Sequence, residues 1–194
     1  MISKELMDKI EIFAKNNMVD DFLHGWSHIE RVIKYARQIN DEINANWNIT
    51  YVAVLLHDIG HKYGDGHHNV KGSEIAYGFL KEIGIKEEIS ENIKQCILTH
   101  SRQYSETKPT TLEAKVLFDA DGMDLFGPIG LMRALLSCIL NKKGFKCIMD
   151  KCEWRLQQRE NFYSNKSKIF VRENSKIIES YLIELKNQLE LFKD

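Results

Sequence analysis

The sequence predicts an all-α protein, and three observations carry that reading. Only 2 Pro and 11 Gly interrupt 194 residues, which suits long helices better than many short strands. Apolar residues recur at helical spacing through most of the chain, and nothing alternates with period two over a useful length. Hydrophobic residues make up 43% and charged residues 28%, so there is enough apolar material for a core and intrinsic disorder is excluded. No repeat, low-complexity tract or linker breaks the chain, and one domain over 1–194 is expected.

The elements follow in order. Residues 2–17 place Ile2, Leu6, Ile10 and Phe13 on one face. Residues 27–44 carry Ile29, Val32, Ile33, Ala36 and Ile39, with Ser27 as the expected N-cap. Residues 49–58 run Val52 to Leu56 without a polar break, and a short helix apolar all round is a buried central one. A loop rich in Gly and His follows, from Gly60 to His68. Helices are then expected over 69–83, 86–100, 111–125, 128–141, 145–164 and 167–192. Thr110 or Thr111, before Glu113, offers the cap of the 111–125 helix, and Pro109 marks the loop before it. The last helix lines up Ile178, Leu182, Leu185, Leu189 and Phe192.

Composition also bounds function. Lys+Arg 27 against Asp+Glu 28 gives no broad pull toward nucleic acid or anionic lipid. The cations Lys142, Lys143, Lys146, Lys151, Arg155, Arg159, Lys166, Lys168 and Arg172 are interspersed with Asp150, Glu153, Glu160 and Glu173. That is a mixed solvated face rather than a nucleic-acid site, and Trp154, Phe162 and Tyr163 read as core or interface residues rather than a base-stacking platform. No apolar run approaches the roughly 20 residues of a membrane span, and the N-terminus lacks the apolar stretch of a secretory signal. Cys96, Cys138, Cys147 and Cys152 form no CxxC pair. Four thiols in a reducing cytoplasm are expected. The 145–192 helices either wrap the core or make a homodimer.

All seven histidines, His24, His28, His57, His61, His67, His68 and His100, fall in the first 100 residues. His57-Asp58 ends the apolar helix, where a charged carboxylate is expensive to bury unless paired or bound to a cation. Adjacent helix residues point about 100° apart, so the two grip one ion only near the helix end. The competing explanation is a His on the helix dipole and an Asp capping the next turn. Asp119, Asp121 and Asp124 crowd three carboxylates among Val116, Leu117, Phe118, Ala120 and Leu125. At least one therefore points inward, and Asp121 and Asp124 share a face. His28 alone is weak evidence.

Three strings together say more: His24 to Val32, Leu55 to Gly60, and Glu113 to Asp124. Their order and helical context resemble the HD-domain superfamily of metal-dependent phosphohydrolases, over residues 20–140. The resemblance is to its compact, stand-alone bacterial-type members. It implies a helical HD-type fold whose central buried helix bears the His-Asp pair. It implies His28, His57, Asp58 and Asp121 as metal ligands, with Asp121 rather than Asp119 matching the family's aspartate. His68 and His100 match the positions where some members hold a second metal or a substrate phosphate. Two imidazoles and two carboxylates suit Mn²⁺, Fe²⁺, Co²⁺, Ni²⁺ or Zn²⁺ better than Mg²⁺.

The implied activity is hydrolysis of a phosphoester or phosphoanhydride bond by metal-activated water. The implied partner is a small phosphorylated molecule, such as a nucleoside triphosphate cut to release pyrophosphate, or a nucleotide losing phosphate. Asp58 is expected to act catalytically. For the leaving group, His61 and Asp124 rank above His67 and Asp65 as general acids, although Asp124 can instead orient a ligand. Arg31, Lys62, Lys71, Arg102 and Arg133 are the candidate substrate cations. In the family a lysine closely follows the His-Asp pair, whereas here His61 intervenes before Lys62. Two other classes stay open: an iron-dependent oxygenase with two metals on this scaffold, and a non-catalytic ligand-binding module. Walker-type and GxGxxG loops are absent, so kinase-like and dinucleotide chemistry have no support.

Overall fold

The computed structural model describes residues 2–64 and 66–190. Among them are nine α-helices and no strand. The chain forms two compact units, 1–121 and 122–194.

In the first unit, α1 (Lys4–Asn17) starts where the Ser3 side chain accepts from Leu6 N–H, and it buries Ile10 and Ala14. The second helix, α2 (Trp26–Ile43), buries His28, Ile29, Val32, Ala36 and Ile39 along one stripe. Its N-cap is Gly25, not Ser27 as expected. Asp21 reaches forward instead, accepting from Leu23 and His24 N–H, so the chain is already turned before Ser27 enters the helix.

The third helix, α3 (Trp47–Leu56), is the apolar one. Asn46 caps it through Asn48 and Ile49 N–H, and Val52 to Leu56 have no exposed surface. It packs against α1, α2 and α5, which confirms its central place. It ends two residues earlier than expected. His57 forms its C-cap and Asp58 precedes a 3-10 turn, Ile59–Tyr63.

That turn lies against α4 (His68–Glu82). A Cβ on Gly60 would stand 2.0 Å from His68 O, so the close approach requires glycine. Next comes α5 (Glu87–Thr99). The sixth helix, α6 (Leu112–Met123), is capped by Thr111 Oγ1, which accepts from Ala114 N–H at 3.2 Å. Glu113 does not close a capping box. It accepts from Asn46 N–H and Asn92 Nδ2, tying the start of α6 to the α3 cap and to α5.

The second unit holds the end of α6, α7 (Gly127–Leu140), α8 (Phe145–Gln157) and α9 (Asn165–Glu190). The expected 145–164 helix stops at Gln157 and a short 3-10 turn follows. Ser164 accepts from Ser167 N–H and so starts α9 separately. Phe162 is buried against Phe126, as a core residue. The last helix buries Val171, Ser175, Ile178 and Leu182. Phe192 lies outside the described residues.

Cysteine usage corrects the sequence reading. Cys138 and Cys147 form a disulfide, Cα atoms 6.0 Å apart, while Cys96 and Cys152 are buried thiols. The turn between α7 and α8 brings together two residues that show no spacing motif. Among the described residues no single helix is long and apolar enough to cross a membrane.

Candidate metal centre

The sequence scatters the histidines over 70 residues, and the first unit gathers five of them around one carboxylate. Asp58 is 4% exposed, and its two oxygens face different groups. Oδ2 lies 3.5 Å from His28 Nε2 and 3.4 Å from His57 Nε2. Oδ1 lies 3.5 Å from His100 Nε2, 3.6 Å from His61 Nε2 and 3.8 Å from His68 Nε2. Asp121 closes the first group, with Oδ1 3.4 Å from His28 Nε2. Asp119 is buried but belongs to none of the donor groups found among the described residues.

Local structure aims these rings. His28 sits in the first turn of α2 on its buried stripe. His57 and His100 each follow the last residue of a helix and bond back by Nδ1 to a carbonyl three residues earlier, Val54 O at 2.8 Å and Ile97 O at 2.6 Å. A carbonyl only accepts, so each Nδ1 carries a proton and each ring turns its Nε2 inward. His68 opens α4 beyond His67, whose φ of 55° swings the chain into the helix.

Two pairs of ring nitrogens then meet head-on. His28 Nε2 and His57 Nε2 are 3.2 Å apart, as are His68 Nε2 and His100 Nε2. Lone pairs at that distance repel unless a proton or a cation lies between them. Burial pushes His57 down to about 4 and His68 down to about 3, so both are unprotonated at neutral pH, as ligands must be. Burial alone would raise Asp58 and Asp121. The imidazoles outweigh it, chiefly His57 and His61 for Asp58 and His28 for Asp121, so both carboxylates stay ionised. For His100, burial is overcome by its hydrogen bond to Asp58, and its pKa rises. Buried carboxylates facing neutral imidazoles fit a divalent cation. Donor atoms in three overlapping groups lie within 4.8 Å of one another: His28, His57, Asp121; His57, Asp58, His100; and Asp58, His61, His68.

The other candidates fall elsewhere. Asp124 is buried in an ion pair with Arg133, Nη1 to Oδ2 at 2.8 Å. Arg102 donates to Phe118 O and lies 3.8 Å above the Phe118 ring. Arg31 donates to Ser27 O, and Lys62 to Asn16 O in α1. Lys71 stands over Tyr63 in a shallow depression with His67, Val70 and Glu74. His67 is exposed, and Asp65 lies outside the described residues.

Sequence reasoning missed two neighbours, His24 and Tyr104. The His24 ring stacks on His61 at 3.8 Å, His61 stacks on His68 at 3.9 Å, and Tyr104 meets His68 edge-on at 5.6 Å. His24 was visible only as part of its string. Tyr104 sits in an irregular loop with no periodic signal.

Comparison with known proteins identifies the family and the fold. The HD-domain family model matches residues 25–125. YpgQ of Bacillus subtilis (strain 168) is 28% identical over 133 residues, 66% of this chain, and the match spans 64% of that curated relative's length. The crystal structure of YpgQ in complex with ADP has a TM-score of 0.73 at 22% identity, covering 93% of this chain and 96% of that one. A Lactobacillus plantarum protein gives a TM-score of 0.84 at 19% identity, covering 98% of this chain and 100% of that one. An HD-superfamily hydrolase of Bacillus thuringiensis gives 0.71 at 21% identity, covering 96% and 98%. At these identities the structural likeness carries the fold.

Proposed function

The chain belongs to the HD-domain family, and on that premise we propose that it is a metal-dependent phosphohydrolase acting on a nucleotide. One observation carries the reading: the two head-on imidazole pairs converge on the single carboxylate of Asp58. His28, His57, Asp58 and Asp121 would hold a divalent transition ion, with His68 and His100 as donors to a second ion or to a substrate phosphate. Such an ion supplies hydroxide from bound water and offsets charge on the phosphoryl oxygens.

The chain's own residues would do the rest. Val54 O and Ile97 O keep the His57 and His100 rings oriented. His61 is the better general acid, because its Nε2 faces Asp58 whereas Asp124 is committed to Arg133. The candidate substrate cations Arg31, Lys62, Lys71 and Arg102 all have local partners, so a substrate phosphate would compete with those contacts. A nucleotide substrate draws support from the ADP complex of YpgQ.

The test is release of phosphate and pyrophosphate from a nucleotide panel by metal-stripped protein reloaded with Mn²⁺, Mg²⁺, Co²⁺, Ni²⁺ or Fe²⁺. Metal-dependent release is expected, falling at least ~100-fold in Asp58→Ala, in line with loss of a metal-site contact. No release from protein that binds metal tightly would overturn the phosphohydrolase reading. The second histidine pair favours one rival, iron-dependent oxygenation, and oxygen consumption by the iron-loaded protein would support it.

A further inference from the structure

Each of α7 and α8 turns an arginine into the interior of the second unit. Arg133 and Arg155 are 6% and 7% exposed. The Arg133 guanidinium has its counter-charge in Asp124, reaching both the carboxylate and the backbone carbonyl. The Arg155 guanidinium is different. Its Nε and Nη1 are buried and have no hydrogen-bond partner among the described residues, and those two nitrogens carry three of the five donors of the group. The carboxylate among its leading charged neighbours is Asp124, and Arg133 already holds that carboxylate. Burial and then Arg133 push Arg155 down to about 10, against Cys152 and Asp124, so it remains cationic at neutral pH. Two buried guanidiniums therefore share one carboxylate, and a buried charge without a counter-ion is strongly disfavoured.

We propose that Arg155, with Arg133 beside it, forms an oxyanion subsite in the second unit that takes a phosphate group. The donors are planar and fixed, the arrangement that arginine offers to phosphate oxygens. The Cys138–Cys147 disulfide joins the end of α7 to the start of α8, the two helices that supply the arginines, and so limits how far they can spread. The phosphate can be free inorganic phosphate or part of a nucleotide. The sequence places Arg155 in a stretch of mixed surface charge, and only burial separates it from its neighbours. This subsite does not rest on the hydrolase reading.

The experiment uses the full chain, metal-stripped and dialysed, so that the metal centre takes no part. Thermal unfolding and calorimetry are followed against inorganic phosphate at ionic strength matched with sodium chloride. A saturable rise in Tm is expected for the wild type and for Asp58→Ala. Arg155→Met is expected to bind phosphate at least ~10-fold more weakly, with a Tm in chloride equal to or above the wild type because a buried charge has been removed. Arg155→Lys keeps the charge, loses the fork, and is expected to weaken binding as well, which preserves the test if the Met variant does not fold. ADP that saturates at lower concentration than phosphate, and is weakened by the same variants, identifies a nucleotide phosphate as the occupant. A response to phosphate alone identifies the free ion. No shift beyond chloride in the wild type, or full phosphate binding in both Arg155 variants, overturns the proposal.

Discussion

At the scale of single residues, the site is a set of proton inventories. His57 and His68 stay neutral in the fold until pH falls to about 4 and about 3, because burial disfavours their charged forms. In the unfolded chain they take a proton near 6.5. Below 6.5 the unfolded state therefore binds more protons, and each such histidine weakens the fold by about 1.4 kcal/mol per pH unit. His100 works in the opposite direction, since its raised pKa favours the fold at low pH. Asp58 and Asp121 add stability above their ordinary range that is lost only in stronger acid. The Tm of metal-free protein is expected to fall from pH 6.5 toward pH 4, with a shallower slope in His57→Gln. A flat profile over that window would refute the assignment of buried neutral imidazoles. The residue types of this cluster were legible because histidine and aspartate stood out against apolar runs. Arg155 was not legible, since a charge on a helix announces nothing about which way it faces.

At the scale of elements, helix positions were readable and helix ends less so. Apolar patterning placed α1 to α7, as a stripe where one face is buried and as an unbroken run in the central α3. The ends depend on side-chain partners that no stripe reports. Gly25 and Asp21 displaced Ser27 at the start of α2, and Ser164 cut the expected 145–164 helix short. The Cys138–Cys147 pairing was equally hidden, since it depends on the turn between α7 and α8. The junction of the 3-10 turn with α4 makes a sharper case. Gly60 lets the backbone after Asp58 lie against the first residue of α4, which is His68. A methyl group in Gly60→Ala meets backbone rather than a flexible side chain, so the two elements must part. The expected loss is about 1–3 kcal/mol, the usual range for overpacking. Because His68 moves with α4, the second histidine pair should lose metal affinity more than the first. Chemical denaturation and metal titration of the variant measure the two effects. Unchanged stability would show that the contact is not tight.

At the scale of the molecule, the donors come from segments far apart in sequence and are held by the packing of the first unit. His28 lies in α2, His57 and Asp58 at the end of α3, His100 at the end of α5, and Asp121 in α6. No unfolded chain presents them together, so an ion that binds there binds the fold alone. Its binding free energy then adds to stability, about 2.7 kcal/mol when the free ion is at 100 times its Kd. Mn²⁺ is expected to raise the Tm of stripped protein with the logarithm of its concentration. Asp121→Asn should shift that dependence to higher metal. Removing Asp58, which faces both histidine pairs, should abolish the dependence. Amide exchange should slow on loading in α2, α3 and α6, the helices that supply the first group of donors. Two effects therefore have to appear together, a concentration-dependent Tm and protection confined to the ligand-bearing helices. A Tm that does not move with any transition ion, in protein whose fold is otherwise intact, would mean that the facing imidazoles are bridged by protons and that the buried carboxylates serve packing alone.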